Sequence, residues 1–465
     1  MIIQALAAAI ALPVLAQAPS APSKPNIVVV FIDDMGWADF SCFGNKDVET
    51  PNIDALAAEG MRFEQFCVNA PICSPSRTAL LTGQYPQRWR IDSYLASRKE
   101  NENRGIADWL DPNAPTLARE LKKAGYATGH FGKWHMGGQR DIGNAPQIAD
   151  YGFHASLTNF EGLGPRVLGI GDAHDGSPPQ RIALGSDNLG NGPIEWVDRS
   201  QITARYVEGA IDFIDKAEAE GKPFYVNLWP DDVHSPFFPP ADKRGDGSKR
   251  DRYLGVLETM DAQLGPLFDR IRNDPKLRDN TIILVFSDNG PEGGAGSAGP
   301  FRGGKGQLYE GGVRSPLVVW APGGMPASAK GDVNRDSFFS SIDLVASLHK
   351  IAGAPPAAPL DGVALPEVLL GKSTESRGKP LFFRRPPDRN SVDGRKNMPD
   401  LAMRDGNWKL LCEYDGSRPE LYDLAKDPSE SRNLADKEPD RVRSMTAALL
   451  EWNRSLPRAK DDPAQ

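Results

Sequence analysis

Pro25-Asn26-Ile27-Val28-Val29-Val30-Phe31-Ile32 is an unbroken apolar, largely β-branched run that stops abruptly at Asp33-Asp34. Far along the chain, Thr281-Ile282-Ile283-Leu284-Val285-Phe286 has the same character and stops at Ser287-Asp288-Asn289-Gly290. Runs without polar alternation are how strands covered on both faces read. Further strand patterns span 126–131, 224–228 and 316–320. Helical patterns lie between them at 116–124, 202–220, 253–272 and 337–352, the last stopped by Gly353. Strands alternating with helices predict an α/β/α sandwich around a large, mostly parallel mixed sheet. Ligands of such sheets bind beyond the carboxyl ends of the strands. Two buried-type strands here deliver oxygen-bearing side chains to that end.

Those side chains, Asp33, Asp34, Asp288 and Asn289, make an all-oxygen donor set. Hard oxygen donors select Ca²⁺ or Mg²⁺ over zinc or copper. Asp33-Asp34 alone would read as a capped strand end; the second acid pair after a second buried strand turns the reading to a metal site.

A chain of 465 residues is long enough for two or more domains. Its formal charge of -8 argues against a nucleic-acid binder, and an anionic substrate would need local positive charge. The segment 1–18 reads as a signal peptide: an apolar run, too short for a comfortable membrane span, leads to Leu15-Ala16-Gln17-Ala18, a small-x-small cleavage site. No basic residue precedes that run, and a helix packed on the protein is the other reading. Cleavage implies an exported protein, periplasmic or secreted, with no transmembrane anchor in the mature chain. The four cysteines, Cys42, Cys67, Cys73 and Cys412, include no Cys-x-x-Cys pair and are no disulfide framework. The run Ala354-Pro355-Pro356-Ala357-Ala358-Pro359 divides a main domain, 25–353, from a C-terminal part, 360–465, with short alternating segments and a last helix near 439–455.

Cys73-Ser74-Pro75-Ser76-Arg77 is followed directly by Thr78-Ala79-Leu80-Leu81-Thr82-Gly83. Ser74 suits a helix cap, Pro75 a first turn and Gly83 a stop. Cys73 then sits at a helix N-terminus, where anions are favoured. Gly132-Lys133-Trp134-His135 follows one strand and Asp232-Val233-His234-Ser235-Pro236 another; Lys133 and His135 would share a side if the extension continued. Lys305 lies in Gly303-Gly304-Lys305-Gly306.

In this order and context, these segments resemble the formylglycine-dependent sulfatases of the alkaline-phosphatase-like superfamily, from about Asn26 to about Leu434. The resemblance implies a small C-terminal α+β subdomain with a short antiparallel sheet. It implies that a maturing enzyme oxidises Cys73 to formylglycine. One hydroxyl of the aldehyde hydrate attacks sulfur and releases the alcohol; deprotonation of the other expels sulfate and restores the aldehyde. The metal, usually Ca²⁺ with Mg²⁺ as the alternative, is held by Asp33, Asp34, Asp288, Asn289 and the converted Cys73. By family match, Lys133 and Lys305 contact sulfate, Arg77 holds the hydrate, His135 takes its proton, and His234 lies near the leaving oxygen. A structural role is expected for Glu310, Arg314 and His130.

The implied partner is a sulfated carbohydrate, with Arg98, Asn101, Asn103, Arg104, His154, His174 and Asp175 as candidate sugar contacts. Aryl sulfates, and phosphonate or phosphate monoesters cleaved through the same modified cysteine, are the alternatives within the scaffold. A non-catalytic glycan-binding relative would require a missing catalytic residue, and none is missing; failure to convert Cys73 would restore that alternative.

Overall fold

A computed structural model describes residues 24–159, 162–172, 178–392, 394–460 and 462. The cleavage site after Ala18 and the candidate sugar contacts His174 and Asp175 lie outside the described residues. Eleven strands form the large sheet. In chain order they are β1 (Asn26–Ile32), β2 (Met61–Phe63), β3 (Ala127–Lys133), β4 (Ala155–Asn159), β5 (Arg166–Gly171) and β6 (Gln180–Ile182), then β7 (Ile194–Asp198), β8 (Phe224–Trp229), β9 (Thr281–Ser287), β10 (Leu317–Trp320) and β11 (Asp332–Asn334). Their order in space is β11-β2-β10-β9-β1-β8-β3-β4-β5-β6, with β7 also on β5. β1 lies at the centre, parallel to both β9 and β8. The strands β10 and β6 run antiparallel to their neighbours, which makes the sheet mixed.

The pleat explains why β1 is apolar at every position. Ile27, Val29 and Phe31 face a layer containing α2 (Cys73–Thr82), α3 (Leu117–Lys123) and α6 (Ser341–Ile351). Val28, Val30 and Ile32 face the opposite layer, containing α1 (Pro51–Glu59), α4 (Ile202–Ala219) and α5 (Lys249–Arg272). With no side exposed to water, each residue contributes to a core. Full burial of such a side chain contributes roughly 1.5–3 kcal/mol.

A second sheet, antiparallel, runs β12 (Leu381–Arg384), β13 (Leu401–Asp405), β14 (Trp408–Cys412) and β15 (Glu420–Asp423) in order. The helix α7 (Pro439–Arg454) packs on it; Trp452 stacks on Phe382 with ring centroids 5.2 Å apart. This core also takes in Tyr85, Leu308 and Val313 from the larger part of the chain. Between the two parts sits the carboxylate of Glu310. It accepts from Arg314 Nε at 2.7 Å, Lys409 Nζ at 3.0 Å and Arg404 Nη1 at 3.1 Å. Burial alone would raise Glu310, but Lys409, Arg314 and Arg404 hold it well below the usual carboxylate range. The segment just after the proline-rich run stays with the larger part: Asp361 N donates to Gly83 O and Leu365 N to Ser347 Oγ.

Candidate active site

The parallel register puts the carboxyl ends of β1 and β9 side by side, with Ile32 opposite Ser287. Asp33 and Asp34 therefore emerge next to Asp288 and Asn289. Asp34 adopts φ 58°, the left-handed region that Asp tolerates better than most residues. Its amide then donates to Asp288 Oδ1 at 3.1 Å. Carboxylate oxygens of Asp33, Asp34 and Asp288 all lie within 4.8 Å of one another.

Three cations face these three acids. One nitrogen of Arg77 lies 2.8 Å from Asp288 Oδ2 and 3.2 Å from Asp33 Oδ1. Lys133 Nζ is 2.5 Å from Asp33 Oδ2, and Lys305 Nζ pairs with Asp34 Oδ2. None of Asp33, Asp34, Asp288, Arg77 or Lys133 is exposed to solvent. Buried charges at this density survive only because they are paired. Burial would raise Asp33, but Lys133, His234 and Arg77 hold it well below its ordinary range. Asp288 is driven the other way, by burial first and by the charge of Asp33 second.

The acid cluster fits a hard cation. Asn289 Nδ2 is anchored on Asp34 Oδ1 at 2.8 Å and on Gly290 O at 2.9 Å. Its Oδ1 is left buried without a hydrogen-bond partner among the described residues. An orphaned amide oxygen beside three carboxylates is a donor arrangement suited to Ca²⁺ or Mg²⁺.

Cys73 is the first residue of α2, and its Sγ lies 3.9 Å from Lys133 Nζ and 4.0 Å from Asp34 Oδ1. Ser74 is not the cap expected from the sequence. The helix begins two residues earlier, with Ile72 in the cap position, and Ser74 Oγ instead accepts from Leu95 N at 2.9 Å. The long-range bond outcompetes local capping. Gly83 does end the helix, in the left-handed conformation at φ 68°.

The expected extension from Lys133 to His135 does not continue. Gly132 has φ 114° and no room for a Cβ, which would lie 2.2 Å from Trp229 O, and His135 has φ 53°. The chain turns at the strand end yet brings His135 to the same cavity. His135 Nε2 donates to Leu95 O at 3.0 Å, a bond that leaves the neutral ring's lone pair on Nδ1. His234 Nε2 lies 3.7 Å from Asp34 Oδ2, while its Nδ1 donates to Ser235 O at 2.7 Å. Burial, with Lys133 and Lys305 nearby, lowers His234 to about 4. The loop that carries it is braced by Asp231, which takes Asn159 Nδ2 at 3.0 Å and Arg199 Nη2 at 3.0 Å.

Of these groups, Cys73, His135, His234 and Lys305 line a cavity of about 330 Å³ whose walls also include Ile72, Tyr94, Arg140, Leu184 and Arg389. Sequence reading missed the last four. They come from separate loops, and no periodicity or spacing ties them together.

Two candidate sugar contacts are corrected. Asn101 is fully buried; its Nδ2 donates to Asp108 Oδ1 and its Oδ1 accepts from Ala96 N, so it braces the turn it sits in. His154 precedes β4 and bonds Thr128 Oγ1 at 2.8 Å near the start of β3, the opposite end of the sheet from Lys133. Arg104 is mostly buried and stacks on Tyr94, with Cζ 4.4 Å from the ring centroid. Arg98 pairs with Asp108 at 3.1 Å, and Asn103 is exposed; neither lines the cavity. His130 sits among Trp134, Phe153 and Trp229, at centroid distances of 5.1, 5.5 and 4.7 Å.

Residues 25–354 match the family model described as Sulfatase, and residues 302–454 that described as N-sulphoglucosamine sulphohydrolase, C-terminal. The chain is 32% identical to arylsulfatase A of Homo sapiens over 454 residues, covering 88% of this chain and 83% of that protein. It is also 32% identical to N-acetylgalactosamine-6-O-sulfatase of Bacteroides thetaiotaomicron over 509 residues, covering 92% of each. Among solved structures, Ps i-CgsB in complex with k-i-k-neocarrahexaose superposes with a TM-score of 0.74 at 25% identity, covering 92% of this chain and 93% of that one.

Proposed function

We propose that this chain, which belongs to the formylglycine-dependent sulfatase family, is an exported enzyme that removes sulfate from a sulfated carbohydrate. As a member of that family it is a sulfuric ester hydrolase. The carbohydrate reading draws support from one relative named for N-acetylgalactosamine-6-O-sulfate cleavage and one neighbour solved with a neocarrahexaose.

The observation that carries the mechanism is the seat of Cys73. Its Sγ faces Lys133 Nζ on one side and Asp34 on the other, at the floor of the cavity. Burial first, and Asp33 second, push the Cys73 thiol well above its ordinary range. A thiol held protonated is a poor nucleophile, which favours its conversion before use. Formylglycine at this position supplies, as its hydrate, one hydroxyl for attack and one whose deprotonation releases sulfate. Asp33, Asp34, Asp288 and Asn289 would hold Ca²⁺, which supplies a Lewis acid for charge on the sulfuryl oxygens.

The remaining work falls to side chains of the site. Lys133 and Lys305 place two ammonium groups where a sulfuryl group would sit over residue 73, and such positioned charge commonly contributes 10²–10³ in rate. Arg77 keeps the acids of β1 and β9 together and cannot deprotonate. His135, neutral with its lone pair on Nδ1, is in the form that accepts a proton. His234 is neutral before substrate arrives, and an anionic ester beside it would raise its affinity for the proton that the departing alcohol needs.

The test is sulfate release from singly sulfated sugars, by protein whose aldehyde at position 73 has been confirmed by peptide mass, with a phosphate and a phosphonate ester as controls. Release from a sugar supports the reading. Preference for a control ester would replace it with that of a phosphonate or phosphate hydrolase. The apolar wall of the cavity also suits an aromatic ring, so an aryl sulfate serves as the general activity probe.

A further inference from the structure

The catalytic groups account for one sulfate, yet the cavity holds more positive charge than one sulfate requires. Arg140 and Arg389 line it beside Lys305. They come from distant parts of the chain, Arg140 from the loop after β3 and Arg389 from the loop between β12 and β13. Their own partners are few. Among the described residues, Arg140 bonds Glu100 Oε2 through Nη1 alone. Arg389 bonds Asp388 O and Oδ2, both at 3.3 Å, again through Nη1 alone. Asp388 is shared besides with Ser93 Oγ at 2.7 Å and Arg104 at 3.6 Å. A guanidinium carries five N–H donors in a planar fork made for oxyanions, and both of these side chains are about a third exposed.

Arg389 is held in place from two directions. Arg389 Cζ lies 5.4 Å from the Tyr94 ring centroid, and Tyr94 in turn lies 6.4 Å from the His135 ring. Gly306, next to Lys305, has φ 82°, and a Cβ there would come within 3.1 Å of Arg389 Cδ. A side chain at position 306 would be strained by that φ and would crowd the arginine stem where it crosses the lysine loop. At the mouth stands Leu184, at 55% exposure the one large apolar side chain left open among the described residues, on a backbone at φ 48°. An isolated exposed leucine needs no explanation on a plain surface. In the wall of a cavity that also carries two arginines it is an apolar contact for a ring whose substituents are charged.

Building on the sulfatase reading, we propose that the natural substrate carries a second oxyanion, a carboxylate or another sulfate on the neighbouring sugar, held by Arg140 and Arg389 while Leu184 packs against the ring. The enzyme is then specific for oligosaccharides with a second acidic group over singly sulfated ones that lack it.

The experiment measures kcat/KM of the aldehyde-bearing enzyme on four substrates: an aryl sulfate, a singly sulfated monosaccharide, a disaccharide pairing that sugar with a uronic acid, and a disulfated disaccharide. The two disaccharides distinguish carboxylate from sulfate as the second anion. The wild type is expected to favour one disaccharide at least tenfold over the monosaccharide. In Arg389→Gln and Arg140→Gln that preference should fall at least tenfold, with raised KM, by more than any change on the aryl sulfate. Rising salt should erode the same preference in the wild type. Equal kcat/KM for the monosaccharide and both disaccharides, or equal losses on all four substrates in the variants, would overturn the proposal while leaving the sulfatase reading intact. Absence of turnover on every substrate, aryl sulfate included, would overturn both.

Discussion

One nitrogen of Arg77 lies 2.8 Å from Asp288 Oδ2, tying α2 to the end of β9. The same nitrogen is 3.2 Å from Asp33 at the end of β1, so the helix that presents Cys73 is pinned to both acid-bearing strand ends by one guanidinium.

Removing that guanidinium leaves the acid cluster buried with one cation fewer. Breaking a buried pair from one side typically costs 3–5 kcal/mol. Arg77→Ala should lower the unfolding free energy by about that much in chelator, with calcium restoring part of it, as read by chemical denaturation. A loss under about 1 kcal/mol would mean that the cluster does not depend on Arg77.

Calcium itself should stabilise the folded chain. At free calcium a hundredfold above its Kd the expected gain is about 2.7 kcal/mol. Chelation should reverse it, and Asp288→Asn should abolish it. An undiminished thermal shift in that variant would place the ion elsewhere.

The fold was legible in the sequence because β1 and β9 are apolar on both faces and because glycines and prolines mark the ends of the helices. The acids at the strand ends were legible for the same reason, since a polar pair after a buried run has to emerge at the carboxyl edge. What was hidden depends on contacts distant in sequence. Ser74 reads as a cap until Leu95 claims its hydroxyl. Asn101 reads as a polar loop residue until Ala96 and Asp108 satisfy its amide. Tyr94, Arg140, Leu184 and Arg389 meet only in three dimensions.

His130 contributes a pH dependence to stability. Burial, with Arg77 nearby, lowers it to about 3 from an ordinary 6.5. The unfolded chain therefore takes up a proton near pH 6.5 that the folded chain refuses until about pH 3. Stability is unaffected above that window and falls as the pH descends through it, by up to about 3 kcal/mol at pH 4, at roughly 1.4 kcal/mol per tenfold difference in proton affinity. His130→Phe should lose correspondingly less stability between pH 7 and pH 4. Parallel curves for variant and wild type would exclude His130 as the cause.

Glu310 is the anion on which the C-terminal sheet docks, holding Arg314, Arg404 and Lys409 together. Glu310→Gln keeps the shape and removes the charge. A destabilisation of about 3–5 kcal/mol is expected. We also propose that the C-terminal part is a separate subdomain, so limited proteolysis of this variant should open the chain near the proline-rich run at 354–359. A variant as protease-resistant as the wild type would mean that apolar packing alone joins the two parts.

The central claim is that residue 73 reacts as formylglycine. The direct measurement is sulfate release from an aryl sulfate by preparations in which the aldehyde fraction at position 73, read by peptide mass, is varied from none to nearly complete, with Cys73→Ala as the blank. Turnover should rise in proportion to the aldehyde fraction and vanish in the variant while its fold is retained. Equal turnover from preparations whose Cys73 remains a thiol would contradict it.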